Sequence, residues 1–352
     1  MAVARFRSSA CLWIGMAAVA IGGTVRCGWG NEPEIAGLRF RYVAATGIGH
    51  EAGVCRRDPS DVIRVGDRYY VYYTKVVRAE LPASWRNLYP SGYPGTVWCA
   101  VSADGVHWRE LGRVLGLGPP GAFDSFGVFT PNVLKYRGRY WLYYTAVRPT
   151  PGRDDGGFDN NSTTDPTGIG VAVADRPEGP FHRISDKPIL IPAREPQAFD
   201  SYRVDDSCLL VRDGKIWLYY KGRSRAHGPA GPGRTQMGLA IAGQPEGPYI
   251  RQNAGKPVQD SGHEVQIWKH GGGVFSLVSP TGPNGRTLQY ADDGLHFRVL
   301  LRGLKGQPAA PGLFRPELVA SEADPALPRW GIGMRHGRDP HLIRFELVWE
   351  TR

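Results

Sequence analysis

An all-β chain folded as a five-bladed β-propeller is what this sequence predicts, and three observations carry the prediction. A two-hairpin unit recurs along the chain, its strands are short and rich in aromatic and β-branched residues, and glycine or proline turns punctuate them at regular intervals. The 352 residues include 47 glycines and 29 prolines in an otherwise ordinary globular composition, so a large core and many turns both fit.

The chain opens with Arg5 and Arg7, an apolar run over 11–23 and small residues including Ala18 and Ala20. That order reads as a signal peptide within residues 1–30, cleaved between Ala20 and Asn31, with an uncleaved membrane anchor as the alternative, followed by one catalytic domain over 31–352. A secreted or periplasmic location follows. Loss of Arg5, Arg7 and Arg26 lowers the formal charge from +10 to +7, which leaves a basic protein suited to anionic polysaccharide as well as to simple solubility. The arginines are scattered and no nucleic-acid module is present. Cys55, Cys99 and Cys208 remain after cleavage, an odd number compatible with a Cys55–Cys99 bridge or with three buried thiols, and their spacing is not that of a zinc site.

Three segments share one grammar: 58–75 (DPSDVIRVGDRYYVYYTK), 130–146 (TPNVLKYRGRYWLYYTA) and 206–222 (DSCLLVRDGKIWLYYKG). Each is a β-rich run, a glycine turn and an aromatic run with Tyr-Tyr. A weaker fourth copy runs over 263–280, and a degenerate fifth is expected over 315–336. A second hairpin, turned by Asp-Gly or Pro-Glu-Gly-Pro, follows each of the first four. Four strands per unit and five units make a propeller.

The innermost strand of each blade lines the central channel, so strand-start residues converge on the axis. Eight places before Gly66, Gly138, Gly214 and Gly271 stand Asp58, Thr130, Asp206 and His263. Three ionisable groups at equivalent positions make a candidate active site. Asp124 and Asp200, each in a Phe-Asp-Ser element six residues before Thr130 and Asp206, are expected to fix loops by bonding backbone amides.

Glycosidic hydrolysis needs a group that protonates the leaving oxygen and another that activates water or attacks carbon. Asp58 can act as base, and a histidine flanked by carboxylates, His263, as acid, with Glu264 as the rival acid. Among the tryptophans, Trp98 is read as the sugar platform, whereas Trp141 and Trp217 lie in the repeated aromatic strand and should pack in the core. His263 and two carboxylates include donor types for a divalent cation in the channel, but no ligand spacing demands one, so no cofactor is assigned.

At Arg56-Arg57-Asp58, at Phe123-Asp124-Ser125 with Thr130, at Phe199-Asp200-Ser201 with Asp206 and at Ser261-Gly262-His263-Glu264, residues from about 50 to 300 resemble glycoside hydrolase family 117. Families 43, 32, 62 and 68 share its propeller. The resemblance implies an inverting, exo-acting α-1,3-(3,6-anhydro)-L-galactosidase, with an oligosaccharide of algal or plant origin as partner. It makes Asp58 the general base, His263 the general acid, Asp206 the carboxylate that supports the transition state and Thr130 a substrate contact. Two departures stand out. The N-terminal extension that members exchange in dimers is short here, which leaves the oligomeric state open, and Asp205-Asp206 replaces an expected His-Asp. If the activity is instead of the family 43 arabinanase or xylosidase type, Glu264 is the acid. A non-catalytic carbohydrate-binding propeller is the reading from outside enzymology.

Overall fold

The structure is a computed structural model that describes residues 35–153, 166–260, 263, 265–280, 282–320 and 325–351. The leader read over 1–30 and the candidate acid Glu264 lie outside the described residues. So does most of the loop preceding Gly168.

Strand β1 (Ile35–Val43) comes first among the described residues but belongs to the last blade. Blade one consists of β2 (Val54–Arg57) and β3 (Ile63–Val65), both on β4 (Arg68–Val77), followed by β5 (Thr96–Ser102) and β6 (Trp108–Leu115). Blade two is β7 (Gly127–Tyr136), β8 (Arg139–Val147), β9 (Thr167–Ala174) and β10 (His182–Arg183). In blade three, β11 (Arg203–Arg212), β12 (Lys215–Arg223), β13 (Gln236–Ala242) and β14 (Ile250–Arg251) follow the same order, with β15 (Gln259–Asp260) beside β13. Blade four is β16 (Val265–His270), β17 (Gly273–Val278), β18 (Leu288–Ala291) and β19 (Arg298–Leu301). Blade five holds β20 (Ala309–Leu313), β21 (Trp330–Arg335) and β22 (His341–Thr351), and β1 pairs antiparallel with β22 as its fourth strand. The five antiparallel sheets form a five-bladed propeller whose ring is closed by joining distant parts of the chain.

The Tyr-Tyr pairs explain why the aromatic strands recur. All six of these tyrosines are at most 1% exposed, so each hydroxyl needs a partner. The first of each pair donates to a carbonyl in the outer turn of the next blade: Tyr72 to Pro177 (2.5 Å), Tyr143 to Pro245 (3.4 Å) and Tyr219 to Gly294 (2.7 Å). The second donates to a carboxylate of its own blade or entry loop: Tyr73 to Glu110 (2.5 Å), Tyr144 to Asp124 (3.1 Å) and Tyr220 to Asp200 (2.9 Å). One tyrosine thus joins blades and its neighbour stiffens one. Glu178 and Glu246 of the Pro-Glu-Gly-Pro turns stay exposed.

The fifth copy begins at Ala309, before the expected Arg315, because a long connection rather than a tight glycine turn separates β20 from β21. Asp124 and Asp200 are fully buried and fix their loops through side chains rather than amides. Each carboxylate accepts a tyrosine hydroxyl and the Nε of an arginine on the outermost strand, Arg183 or Arg251. Cys55, Cys99 and Cys208 are buried free thiols.

Candidate active site

The strands that reach the axis are interrupted where the site residues stand. In blade two, β7 pairs with β8 up to Phe129↔Thr145 and resumes at Asn132↔Tyr143. In blade three the break falls between Asp205↔Lys221 and Cys208↔Tyr219. Each break is a β-bulge in which one residue adopts a left-handed backbone: Asp58 (φ 48°), Thr130 (46°), Asp206 (50°) and, in blade five, Ala310 (42°). For the β-branched Thr130 this is a strained conformation, of order 1–3 kcal/mol. Thr130 and Asp206 therefore lie inside the inner strand, at its bulge, whereas Asp58 falls between β2 and β3 and His263 stands two residues before β16. Strand pairing continues on the outer side of each bulge and carries the sheet past it.

The bulges are held from behind by the residue that follows Tyr-Tyr. Thr74 Oγ1 accepts the Thr130 amide (2.9 Å), and Thr145 Oγ1 accepts the Asp206 amide (3.2 Å), so each blade fixes the bulge of the next. Blade three carries Lys221 at that position instead. Its Nζ bonds Asp206 Oδ2 and lies 3.5 Å from Asp205 Oδ1.

Asp58, Thr130, Asp206 and His263 line one cavity of about 180 Å³. A smaller cavity of about 50 Å³ shares Asp58, Thr130 and Asp206 with it and continues among Pro59, Ser207 and Pro311 of the inner strands, which marks both as axial. The loop between β4 and β5 supplies one wall through Ser91, Gly92 and Tyr93. Asp58 is 8% exposed, and its Oδ2 accepts Arg57 Nε at 2.8 Å. The His263 amide donates to Ser279 Oγ at 2.7 Å.

Asp205 is 1% exposed and accepts Arg203 Nε, while Arg203 Nη1 donates to Tyr93 Oη at 2.9 Å. Burial opposes the Asp205 charge, but Arg203 foremost, then Lys221, Arg223 and His263, more than offset it and hold the carboxyl below its ordinary range.

Trp98 is not among the residues lining the cavity. Its face carries the Lys75 ammonium at 3.9 Å and its Nε1 donates to Thr96, so packing and a cation–π contact account for it. Among the described residues, no group of three or more His, Cys, Asp or Glu side chains is disposed to hold a metal ion.

The pairing also moves one register. Arg212↔Lys215 and His270↔Gly273 close equivalent hairpins, in which Asp213-Gly214 and Gly271-Gly272 take the left-handed turn positions. Gly272, not Gly271, therefore matches Gly214. Eight places before Gly272 stands Glu264 in the sequence, with His263 in step with Asp205.

Residues 54–231, half of the chain, match the family model described as Glycosyl hydrolases family 43. The structure is similar to that of Zg3597, a family 117 glycoside hydrolase from Zobellia galactanivorans. The TM-score is 0.75 with 27% identity, over 90% of this chain and 92% of that one. CoXyl43, a GH43 beta-xylosidase/alpha-arabinofuranosidase from a compost microbial metagenome, shares the fold at a TM-score of 0.54 and 15% identity, over 89% of this chain and 96% of that one. A stretch of 126 residues is 29% identical to the arabinoxylan arabinofuranohydrolase of Bacillus subtilis (strain 168), a match spanning 36% of this chain but only 23% of that protein. The propeller, its axial carboxylate-lined cavity and these likenesses together define a glycoside hydrolase of the five-bladed propeller class. The chain belongs to glycosyl hydrolases family 43, and its resemblance to family 117 extends over the whole propeller.

Proposed function

We propose that the protein is a secreted, inverting exo-glycosidase of the family 117 type, acting on an α-linked anhydro- or deoxy-sugar at the end of an oligosaccharide. Asp58 activates water, His263 protonates the leaving oxygen and Asp206 supports the transition state. The observation that carries this reading is the convergence of Asp58, Asp206 and His263 on one cavity. The cavity they line measures about 180 Å³.

A second reading rests on the corrected register. Glu264 occupies the sequence position equivalent to Asp206 and Thr130, which favours Glu264 as the acid of a family 43 arabinanase or xylosidase type of activity.

Hydrolysis of neoagarobiose, carrageenan oligosaccharides and arabino-oligosaccharides, with the first-formed anomer followed by NMR, tests the substrate and the stereochemistry. Inversion is expected, and retention or the absence of any product would overturn the proposal. The acid is identified separately. His263→Gln should lower turnover by about a hundredfold or more on substrates with poor leaving groups and much less on aryl glycosides. If Glu264→Gln shows that dependence and His263→Gln does not, the second reading holds.

A further inference from the structure

Blade three departs from its neighbours at one pair of facing positions. Cys55↔Val76 in blade one and Gly127↔Val147 in blade two correspond to Arg203↔Arg223 in blade three, two cations where the other blades hold small or apolar residues. Both arginines line the cavity and both are at most 5% exposed. Like charges directly opposite each other on a sheet repel, and burial strengthens the repulsion.

The remaining charges do not resolve it. Arg57 is paired with Asp58, Arg203 with Asp205, and Lys221 with Asp206 and Asp205. Among the described residues no carboxylate lies within ion-pair distance of Arg223, and its Nε is buried without a hydrogen-bond partner. Its guanidinium lies 5.6 Å from the centre of the Tyr202 ring, a contact that gives Nε no hydrogen-bond acceptor. Asp205 is near enough to feel its charge, but its Oδ2 accepts Arg203 Nε and its Oδ1 lies 3.5 Å from the Lys221 ammonium, without a hydrogen bond from Arg223 to either.

We propose that Arg223 is the anchor for an oxyanion carried by the substrate, so that the cavity takes an anionic sugar bearing a carboxylate or a sulfate ester. A planar guanidinium edge matches either group with two parallel hydrogen bonds. An incoming oxyanion relieves the repulsion from Arg203 and supplies the missing partner in one event. Burial first, and Arg203 second, press the Arg223 pKa below its ordinary value, as expected of a cation whose counter-charge arrives with the ligand. The inference rests on the glycosidase reading of the cavity and specifies its substrate class.

The test compares D-galactose, D-galacturonic acid and D-galactose 6-sulfate binding to the full chain by NMR titration at low and high salt. The expected result is that at least one acid binds roughly tenfold to a hundredfold tighter than galactose, with the preference shrinking as salt rises. Whether the uronate or the sulfate is preferred identifies the source of the oxyanion. Arg223→Met should abolish the preference, and Arg223→Lys, which keeps the charge but loses the fork, should retain only part of it. Galactose bound as tightly as both acids, no acid bound at all, or a preference unchanged in the variants overturns the inference. Should Arg223→Met fail to fold, Arg223→Lys decides by the same criterion. Failure of the glycosidase reading shows differently, as no product from neutral or anionic oligosaccharides, a readout separate from the binding preference.

Discussion

Between Asp205 and Asp206 the Lys221 ammonium holds two carboxylates that would otherwise repel each other. Removing it as Lys221→Met should raise the carboxylate pKa values and move the acid limb of the kcat profile to higher pH. Below the new value, activity should fall on the order of tenfold for each pH unit. Asp205 also links the site to stability. Its folded pKa is depressed, so its contribution is complete above the ordinary value of about 3.9 and is lost as pH falls from there through the folded value. Thermal unfolding followed from about pH 6 to about pH 3 should show that loss, and Asp205→Asn should flatten it. At the opposite wall, a Cβ on Gly92 would come within 3.1 Å of Arg57 and 3.3 Å of Asp58 Oδ2. Gly92→Ala is therefore expected to lower kcat while leaving the unfolding temperature nearly unchanged. Asp58, Thr130 and Asp206 share a position that a repeat makes visible in the sequence, whereas His263 came from a count one residue out of step with the strand pairing. Lys221 and Arg223 were not legible because they stand on β12 rather than on the strand that carries the acids, and Arg203 precedes the repeated segment that begins at Asp206. The signal lay in the next strand, where Tyr-Tyr is followed by Thr74, Thr145 and then Lys221.

At the level of elements, the repeated hairpins were readable from their turns and aromatic runs, since a tyrosine buried in each of the first three blades must find a partner in the next. The fifth blade was less legible. Its inner strand keeps only Ala310-Pro311 of the pattern seen in Asp58-Pro59 and Thr130-Pro131, and its outer strand comes from the other end of the described chain. A single sequence offers no local signal for such a pairing. The bulges were also invisible, because a left-handed Thr130 is set by tertiary contacts, here the Thr74 hydroxyl behind it, and not by its own preference.

For the whole molecule, one carboxylate on the axis gathers all five blades. Asp61 of blade one accepts from Asn132 of blade two (3.3 Å), Gln266 of blade four, the Leu313 amide of blade five (2.9 Å) and Arg315 (2.9 Å). Arg315 in turn donates to the Leu209 carbonyl of blade three at 2.8 Å. Both charges are at most 1% exposed, so Arg315→Met, which strands the carboxylate, should cost about 3–5 kcal/mol. Equilibrium denaturation should further show that adding Asp61→Asn to that variant recovers part of the loss.

The closing strand carries a different consequence, for a chain still on the ribosome. β1 ends at Val43 and its partner β22 begins at His341, so at roughly 5–20 residues per second the first strand waits on the order of 15–60 s for its partner. Throughout that time it is an open template for any other nascent strand. One face of β1 carries Leu38, Phe40 and Tyr42, and the other carries Arg39 and Arg41, whose pairs with Glu350 and Glu346 are exposed enough to add little to the finished fold. The arginines act as gatekeepers against premature pairing. Arg39→Val with Arg41→Val should leave the unfolding free energy within about 1 kcal/mol of the parent yet lower the soluble fraction recovered from expression, because the hazard it exposes belongs to synthesis and not to the folded state.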